Sequence, residues 1–345
     1  MNNQILDIYQ KLSGKTIWEA KLAFQQLKII DSSTGDMFFA TYGVGNTIDR
    51  FNFPYERLAC YEFLLEELKK DNEKNYYKLH KGTSFYVMSW IAFDLEQYEK
   101  AMFYMDAAIA EDIDFVKDQW PSLPMGKMLT FQPGGAGDRT TNEIAEHLNE
   151  LIDEYNSVTK SKITLEKFIN SFVIPFVNQD IKNRSVITAF YSFLLEYTTI
   201  SSLIKLRSDQ GGTIEPIITH LFKGGLIFES LLKYAAQKNG YKNDLKNNKK
   251  TQKKPTEIKT LGQFNYSKDF RKTYCDFDLQ VSDIRKLLEF SLKEMKDAFG
   301  VTYKLRNETG HDLRKDDVFT IENYKKLFKQ EIFAILFVLQ KEFNL

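Results

Sequence analysis

Apolar residues recur at steps of three and four positions along most of this chain, and few residues interrupt the pattern. Only seven Pro and 17 Gly occur among its 345 residues. A spacing of three and four places apolar side chains on one face of an α-helix, whereas a half-buried strand needs strict alternation. The sequence therefore predicts an all-α fold in which helices bury amphipathic faces against one another.

The composition can fill two cores and gives the chain no overall charge. Hydrophobic residues make up 43%, including 28 Phe and 18 Tyr, and Lys plus Arg equal Asp plus Glu at 47 each. Any attraction to nucleic acid must therefore come from a local patch. Neither a membrane-spanning apolar run nor a signal sequence is evident, which predicts a cytoplasmic protein with no membrane partner. Two distant cysteines, Cys60 and Cys275, predict neither a disulfide framework nor a zinc site.

The N-terminal half, residues 1–160, is predicted to be a helical scaffold or sensor region. Its predicted helices lie at about 5–30, 56–70 and 141–156, and the Pro- and Gly-rich stretch 120–138 is predicted to be a loop. Residues 81–114 resemble one tetratricopeptide (TPR) repeat, a helix–turn–helix unit of 34 residues, with small Ala101 and Ala108 where its two helices approach. An ordinary antiparallel helix pair fits equally well. Either structure offers a surface for a regulatory protein.

The C-terminal half, residues 165–345, follows a polar stretch at 157–164 that marks the predicted domain boundary. Four long helices are predicted, over about 186–206, 214–237 and 281–306 and from an N-cap at Thr320 to about Phe343. The last helix is apolar almost all round. We therefore expect it to be buried between neighbouring helices or in a dimer interface.

A short polar motif, Arg306-Asn307-Glu308-Thr309-Gly310-His311, separates the last two predicted helices. It combines a permanent cation with a group that titrates near neutral pH, which suits RNA cleavage without a metal. The imidazole would take a proton from a 2′-hydroxyl, which then attacks the adjacent phosphorus, and the guanidinium would stabilise the charge on the phosphoryl oxygens. Positions five apart on a helix lie about 140° apart, so Arg306 and His311 would not share a face of an unbroken helix. If the helix ends before Gly310, this glycine can adopt a left-handed conformation that turns His311 back towards Arg306.

Other roles fit the same residues. His311 can interact favourably with the dipole at a helix C-terminus, and Arg306 can pair with a neighbouring carboxylate on the surface. Asn307 either orients His311 or binds phosphate. The other three histidines, at positions 80, 147 and 220, have no metal-ligand spacing, so a structural role is expected for each and no metal site is predicted.

Two charged features accompany the motif. Glu229 and Lys233 stand four positions apart, an arrangement that also fits an exposed ion pair on a helix. The stretch 239–259 is rich in lysine, and it is either a solvated loop or an RNA-contact patch. The lysines at its centre, which we treat as candidate RNA-binding residues, are Lys249, Lys250, Lys253 and Lys254.

Four long helices with an Arg-to-His motif between the last two resemble a HEPN domain, over roughly residues 165–345. Phe228-Glu229-Ser230-Leu231-Leu232-Lys233 is similar to an acidic signature on the second helix of that family, and Leu261-Gly262 is similar to a turn before its third helix. The resemblance implies a metal-independent endoribonuclease that leaves a 2′,3′-cyclic phosphate and needs no cofactor. It further implies a homodimer with the motifs facing across a two-fold axis, and a toxin or anti-phage defence effector. The alternative is a non-catalytic HEPN-type module for dimerisation or partner binding.

Overall fold

A computed structural model of the protein describes residues 54–71, 73–77, 80–134, 138–207, 212–244, 255–274, 288, 295–309 and 319–345. The fold is all-α, as the sequence predicts: helices dominate, and the strands of the described part are two residues long. The chain divides into two compact units, Met1–Thr141 and Asn142–Leu345. The predicted helix at 5–30 lies outside the described residues.

The described part of the first unit begins with helices α1 (Pro54–Asp71), α2 (Glu73–Tyr76), α3 (Gly82–Asp94) and α4 (Tyr98–Val116). Helices α3 and α4 form an antiparallel pair, because a hydrogen bond joins Ser89 Oγ to the Ala101 carbonyl and, at the other end of the pair, His80 Nε2 lies 3.1 Å from Asp112 Oδ1. Ala101 and Ala108 are fully buried where the helices approach, at the positions that the sequence predicts. The structure therefore contains the helix pair expected over 81–114.

The Pro-rich stretch after α4 is not the long loop that the sequence suggested. A 3-10 helix covers Lys117–Ser122 and α5 covers Pro124–Leu129. Proline is compatible with the first turn of a helix, because the N–H groups of that turn have no acceptor within the helix. Pro124 occupies the first turn of α5. The side chains of Met125, Met128 and Leu129 are buried, so this stretch belongs to the core of the first unit.

The second unit begins within α6 (Asp138–Thr159) and continues through α7 (Leu165–Phe168), a π-helical turn (Ile169–Val173), α8 (Ile174–Gln179) and a 3-10 turn (Ile181–Asn183). The predicted boundary at 157–164 lies inside this unit. It is an ordered link, since the Asn156 side chain donates to the Ile163 carbonyl and accepts from the Ile163 N–H. A polar composition is typical of tight links as well as of domain boundaries, and tertiary packing distinguishes the two.

Four longer helices follow: α9 (Arg184–Leu206), α10 (Glu215–Asn239), α12 (Met295–Thr309) and α13 (Ile321–Glu342). Between α10 and α12 lie β1 (Lys242–Asn243), β2 (Thr256–Glu257), a 3-10 helix (Leu261–Tyr266) and α11 (Lys268–Tyr274), with β1 and β2 antiparallel. Helices α10 and α13 pack against each other and each contacts both α9 and α12. The Thr320 side chain caps α13 by accepting the Asn323 N–H, as predicted.

Helix α13 is buried on nearly every side, which confirms the expectation from its apolar composition. Its cover comes from the same chain: the Phe333 ring packs edge-on against Tyr155 of α6, and Phe328 stacks on Tyr197 of α9. Phe343, just after α13, lies against Phe172. The apolar excess that the sequence assigned to a dimer interface is thus covered within the unit by residues before α10.

One stretch among the described residues, Ile181–Leu206, is long and apolar enough to cross a membrane by length and composition. Its qualifying 18-residue window has a mean hydropathy of 1.2, and 61% of that window is buried. The buried residues include Tyr191, Phe193 and Leu194, which form part of the core of the second unit. A core helix has the same composition as a membrane span.

Candidate functional site

The motif residue Arg306 lies in the last turn of α12, which ends at Thr309. Asn307 follows it with a half-buried side chain. The other motif residue, His311, lies outside the described residues, as does Gly310. The candidate RNA-binding lysines at positions 249, 250, 253 and 254 also lie outside them. The described part of the predicted site therefore consists of Arg306, Asn307 and the residues that contact them.

The principal partner of Arg306 is Glu229 on α10. Arg306 Nη1 lies 2.9 Å from Glu229 Oε2, and Lys233 Nζ lies 2.7 Å from Oε1 of the same carboxylate. The Glu229 side chain is 4% exposed, whereas those of Arg306 and Lys233 are 27% and 34% exposed. The pair between Glu229 and Lys233 is thus not the exposed ion pair considered from the sequence, because its carboxylate is buried under two cations.

This cluster of Arg306, Glu229 and Lys233 carries one net positive charge. Arg306 Nε and Glu229 Oε2 are buried without a hydrogen bond, so the close contact between the two side chains is an ion pair with poor hydrogen-bond alignment. Burying a carboxylate is costly unless cations compensate it, and removing one partner of such a pair typically costs about 3–5 kcal/mol. Lys233 would keep part of the compensation if Arg306 were lost.

Gly225 of α10 allows Arg306 to approach. A Cβ at Gly225 would lie 3.2 Å from Arg306 Cβ and 3.5 Å from the Thr302 carbonyl oxygen, which is tighter than ordinary packing. Helix α12 can therefore come close to α10 one turn before Glu229, and the Arg306 side chain reaches the carboxylate. Gly225 is a packing residue of the candidate site that the sequence did not reveal.

Comparison of the chain with known protein families, with curated proteins and with solved structures finds no match.

A second polar cluster lies inside the same bundle, centred on His220 of α10. The Tyr324 hydroxyl donates to His220 Nδ1 at 2.9 Å, and His220 Nε2 donates to the Phe193 carbonyl oxygen at 2.8 Å. Burial lowers the pKa of His220 to about 3, so the ring is neutral at physiological pH. Both ring nitrogens are satisfied by protein groups, which agrees with the structural role expected for this histidine.

His147 and His80 also make protein contacts. His147 packs between Tyr197 and Phe328, and burial lowers its pKa. His80 lies 3.1 Å from the buried carboxylate of Asp112 in the first unit. Within the described parts of the chain, no group of three or more His, Cys, Asp or Glu side chains is arranged to hold a metal ion.

Glu331 of α13 is a buried carboxylate that the sequence analysis did not single out. Its exposure is 0%, and neither of its oxygens has a hydrogen-bond partner among the described residues. Burial raises its pKa well above the usual range. The carboxylate lies against Gly224 of α10 and near Phe193 of α9. A glutamate directly before the uninterrupted apolar run 332–339 was the available signal.

The Arg306 cluster has the properties of an anion site. The Arg306 side chain is 27% exposed, its guanidinium is held by the buried carboxylate of Glu229, and a second cation, Lys233, lies one turn from Glu229 on α10. A guanidinium held in place can bind a phosphate through parallel hydrogen bonds without losing much side-chain entropy on binding. Fixed cations of this kind are also effective in stabilising the charge that develops during phosphoryl chemistry.

Proposed function

We propose that the protein is a metal-independent endoribonuclease of the HEPN type, with Arg306 and His311 as catalytic residues. The observation that carries the proposal is the placement of Arg306: its side chain, 27% exposed, lies at the end of α12, pairs with the buried carboxylate of Glu229 and stands five positions before a histidine. Asn307 is a supporting residue beside it.

In the proposed reaction His311 removes the proton from a 2′-hydroxyl, and the resulting oxygen attacks the neighbouring phosphorus. The bond from phosphorus to the 5′-oxygen breaks, the leaving oxygen takes up a proton, and the products end in a 2′,3′-cyclic phosphate and a 5′-hydroxyl. Arg306 binds the phosphoryl oxygens and stabilises their charge in the transition state. Glu229, itself paired with Lys233, holds the guanidinium in position.

The setting of the activity belongs to the same proposal. The enzyme would act in the cytoplasm as a toxin or anti-phage effector and work as a homodimer through the second unit. The helix pair α3–α4 would bind a regulatory protein. These features follow from the resemblance to the HEPN family.

The test is cleavage of RNA by the purified chain in EDTA, followed by analysis of the product ends. We expect His311→Ala to slow cleavage by about 10²–10⁴-fold, the usual contribution of a general base. We expect Arg306→Ala to slow it by about 10²–10³-fold, as for loss of a donor to a developing oxyanion. Arg207→Ala, in the same unit, removes an arginine whose Nε bonds the Gly212 carbonyl and should cleave normally.

Thermal stability has to be measured on the same variants, because Arg306 also pairs with a buried carboxylate. Arg306→Ala should lower the melting temperature, because it leaves the buried carboxylate of Glu229 with one cation instead of two. Arg306→Lys separates the two roles, since an ammonium can pair with Glu229 but cannot form two parallel hydrogen bonds to phosphate. Wild-type cleavage by a stable Arg306→Lys or His311→Ala chain would rule out the proposed site.

A second candidate function is a non-catalytic HEPN-type module that serves dimerisation or partner binding. The buried Glu229 favours it, because an arginine that compensates a buried charge has a sufficient structural role. The two candidates differ in one observable result: only the enzyme loses an activity in His311→Ala while keeping its melting temperature. Absence of RNA cleavage by the intact chain in EDTA and in Mg²⁺ would favour the module.

A further inference from the structure

The segment between α10 and α12 has a charge unlike the rest of the chain. Residues 242–274 contain ten Lys or Arg and three Asp or Glu, and we define the basic arm as their described C-terminal part, residues 255–274. The whole chain has 47 of each kind, so the rest of the protein is acidic by the same seven charges. A local excess of positive charge in a chain with no net charge attracts a polyanion to that part of the surface.

The basic arm is fixed to α12 by an aromatic core. The rings of Phe264 and Phe270 are buried and lie 6.2 Å and 6.4 Å from the ring of Phe299 on α12. At Gly262, a Cβ would lie 3.6 Å from Tyr303 Cε2. Tyr303 and Arg306 are three positions apart on α12 and so neighbour each other on its surface. The arm is therefore connected through α12 to the candidate site.

The outer face of α11 presents lysine. Lys268 and Lys272 are four positions apart and exposed, on the side of the helix opposite the buried Phe270. Neither forms an ion pair among the described residues, and the same holds for exposed Lys259 in the link to α11. The nearby carboxylate of Asp244 accepts a hydrogen bond from the backbone N–H of Lys268, not from its side-chain ammonium group.

Tyr266 gives this basic face an aromatic platform. It directly precedes α11 and is 51% exposed, one of the larger apolar side chains that the second unit leaves to solvent. Its carbonyl oxygen accepts the Asp244 N–H at 3.0 Å, which fixes its backbone to the β-hairpin base. An exposed ring on an ordered backbone flanked by cations is the arrangement with which proteins bind single-stranded nucleic acid.

We propose that the basic arm is an RNA-binding surface distinct from the Arg306 cluster. Tyr266 stacks on an unpaired base, and Lys259, Lys268 and Lys272 neutralise phosphates of the same strand. A single strand is favoured over a duplex because only an unpaired base offers its face to Tyr266. The proposal rests on the proposed function only in taking RNA as the ligand, since the arm contains no residue of the cleavage mechanism.

The experiment measures fluorescence anisotropy of a labelled single-stranded 2′-O-methyl RNA, which the proposed reaction cannot cleave, with the full chain over a series of salt concentrations. Each phosphate contact contributes about 0.7 to the slope of log K against log salt for a single strand. Lys268→Gln/Lys272→Gln should therefore reduce the slope by about 1.4. Tyr266→Ala should weaken binding roughly five- to 150-fold without changing the slope, and Tyr266→Phe should bind normally.

The chain offers matched controls for both changes. Tyr55 in the first unit is also 51% exposed, and Tyr55→Ala should bind as wild type. Lys325→Gln/Lys329→Gln removes two exposed lysines at the same spacing from α13. An equal loss of binding in these controls would overturn the proposal, as would a Tyr266→Ala chain that binds as tightly as wild type.

The assay also separates this inference from the proposed function. Binding of the 2′-O-methyl RNA that depends on Tyr266, by a chain that cleaves no RNA, would support the arm and contradict the nuclease. Cleavage that needs His311 but is unaffected by every arm variant, with unchanged RNA affinity, would support the nuclease and overturn the arm. Tighter binding of the matching duplex than of the single strand would exclude base stacking on Tyr266.

Discussion

Glu331 and Glu229 are two buried carboxylates of one bundle that differ in how their negative charge is compensated. Glu229 has two cations within 3 Å, whereas Glu331 has no hydrogen-bond partner among the described residues. A buried, uncompensated carboxylate avoids the cost of its charge by holding a proton, which is why burial raises the pKa of Glu331. Tyr324 and His220 are the titratable groups of the neighbouring cluster, and burial keeps both uncharged by raising the pKa of Tyr324 and lowering the pKa of His220 to about 3.

Glu331→Gln should therefore stabilise the protein at neutral pH. The unfolded chain releases the proton near the ordinary value of 4.5, whereas the folded chain keeps it. Above that pH the unfolded state binds fewer protons, so the free energy of unfolding falls as pH rises, by up to about 1.4 kcal/mol per pH unit, until the raised pKa is reached. Glutamine removes this slope, and we expect a gain of about 1–3 kcal/mol at pH 7 that vanishes below pH 4.5.

Urea unfolding at several pH values checks this expectation. Glu322→Gln, on an exposed position of the same helix, serves as the control and should change the stability by less than about 0.5 kcal/mol. A Glu331→Gln chain that is less stable than wild type at pH 7 would mean that the carboxylate has a partner in solution.

At the scale of elements, the pair Gly224-Gly225 allows α10 to pack closely against three helices, α9, α12 and α13. A Cβ at Gly224 would come within 2.7 Å of Phe193 Cζ and closer still to the Glu331 carboxylate, which real Cβ atoms do not do. A Cβ at Gly225 would be tight against Arg306 but not overlapping, at 3.2 Å from its Cβ. The two adjacent positions therefore differ in whether the neighbouring side chains leave room for a Cβ atom.

We expect Gly224→Ala to destabilise the fold and Gly225→Ala to affect mainly the candidate site. Alanine gains about 1 kcal/mol of helix propensity at either position. Overpacking costs about 1–3 kcal/mol, which outweighs that gain at Gly224, where the neighbours are buried. At Gly225 the two terms nearly cancel, but Arg306 must move by a few tenths of an ångström, so RNA cleavage should fall several-fold with little change in melting temperature.

Melting temperatures and cleavage rates of both variants provide the measurement, with Ser230→Ala on the exposed side of α10 as the control. A Gly224→Ala chain more stable than wild type would contradict the close approach of α10 and α13. Normal cleavage by Gly225→Ala would mean that the rate does not depend on the position of Arg306.

At the scale of the whole molecule, the homodimer stays a prediction. The structure removes one argument for it, since Phe328, Phe333 and Phe343 are covered by the chain itself. The remaining argument is chemical: a two-fold pairing would bring an Arg306 of one protomer near a His311 of the other.

Mixing an Arg306→Ala chain with a His311→Ala chain tests this pairing. If each active site combines residues of two protomers, half of the randomly mixed dimers contain one intact site, and activity should recover to roughly a quarter of the wild-type value. Light scattering at the assay concentration provides the oligomeric state. No recovery, together with an active monomer, would exclude a shared site.

The sequence by itself determined the helical class of this protein and the positions of five of its longer helices. Periodic apolar residues, an N-cap at Thr320 and breaks at Gly and Pro place five helices, α1, α6, α9, α10 and α13, within a few residues of their predicted ends, because these signals act over one or two turns. The same reasoning predicted that α13 is buried and that Ala101 and Ala108 lie between two helices.

Only the tertiary structure decided which distant residues meet. It joins Arg306 to Glu229, leaves Glu331 without a partner and covers α13 with segments before α10. It also places the division of the chain at Thr141 rather than in the polar stretch 157–164. Contacts between residues far apart in sequence depend on how helices pack, and helical periodicity shows which face of a helix is apolar but not which neighbour covers it.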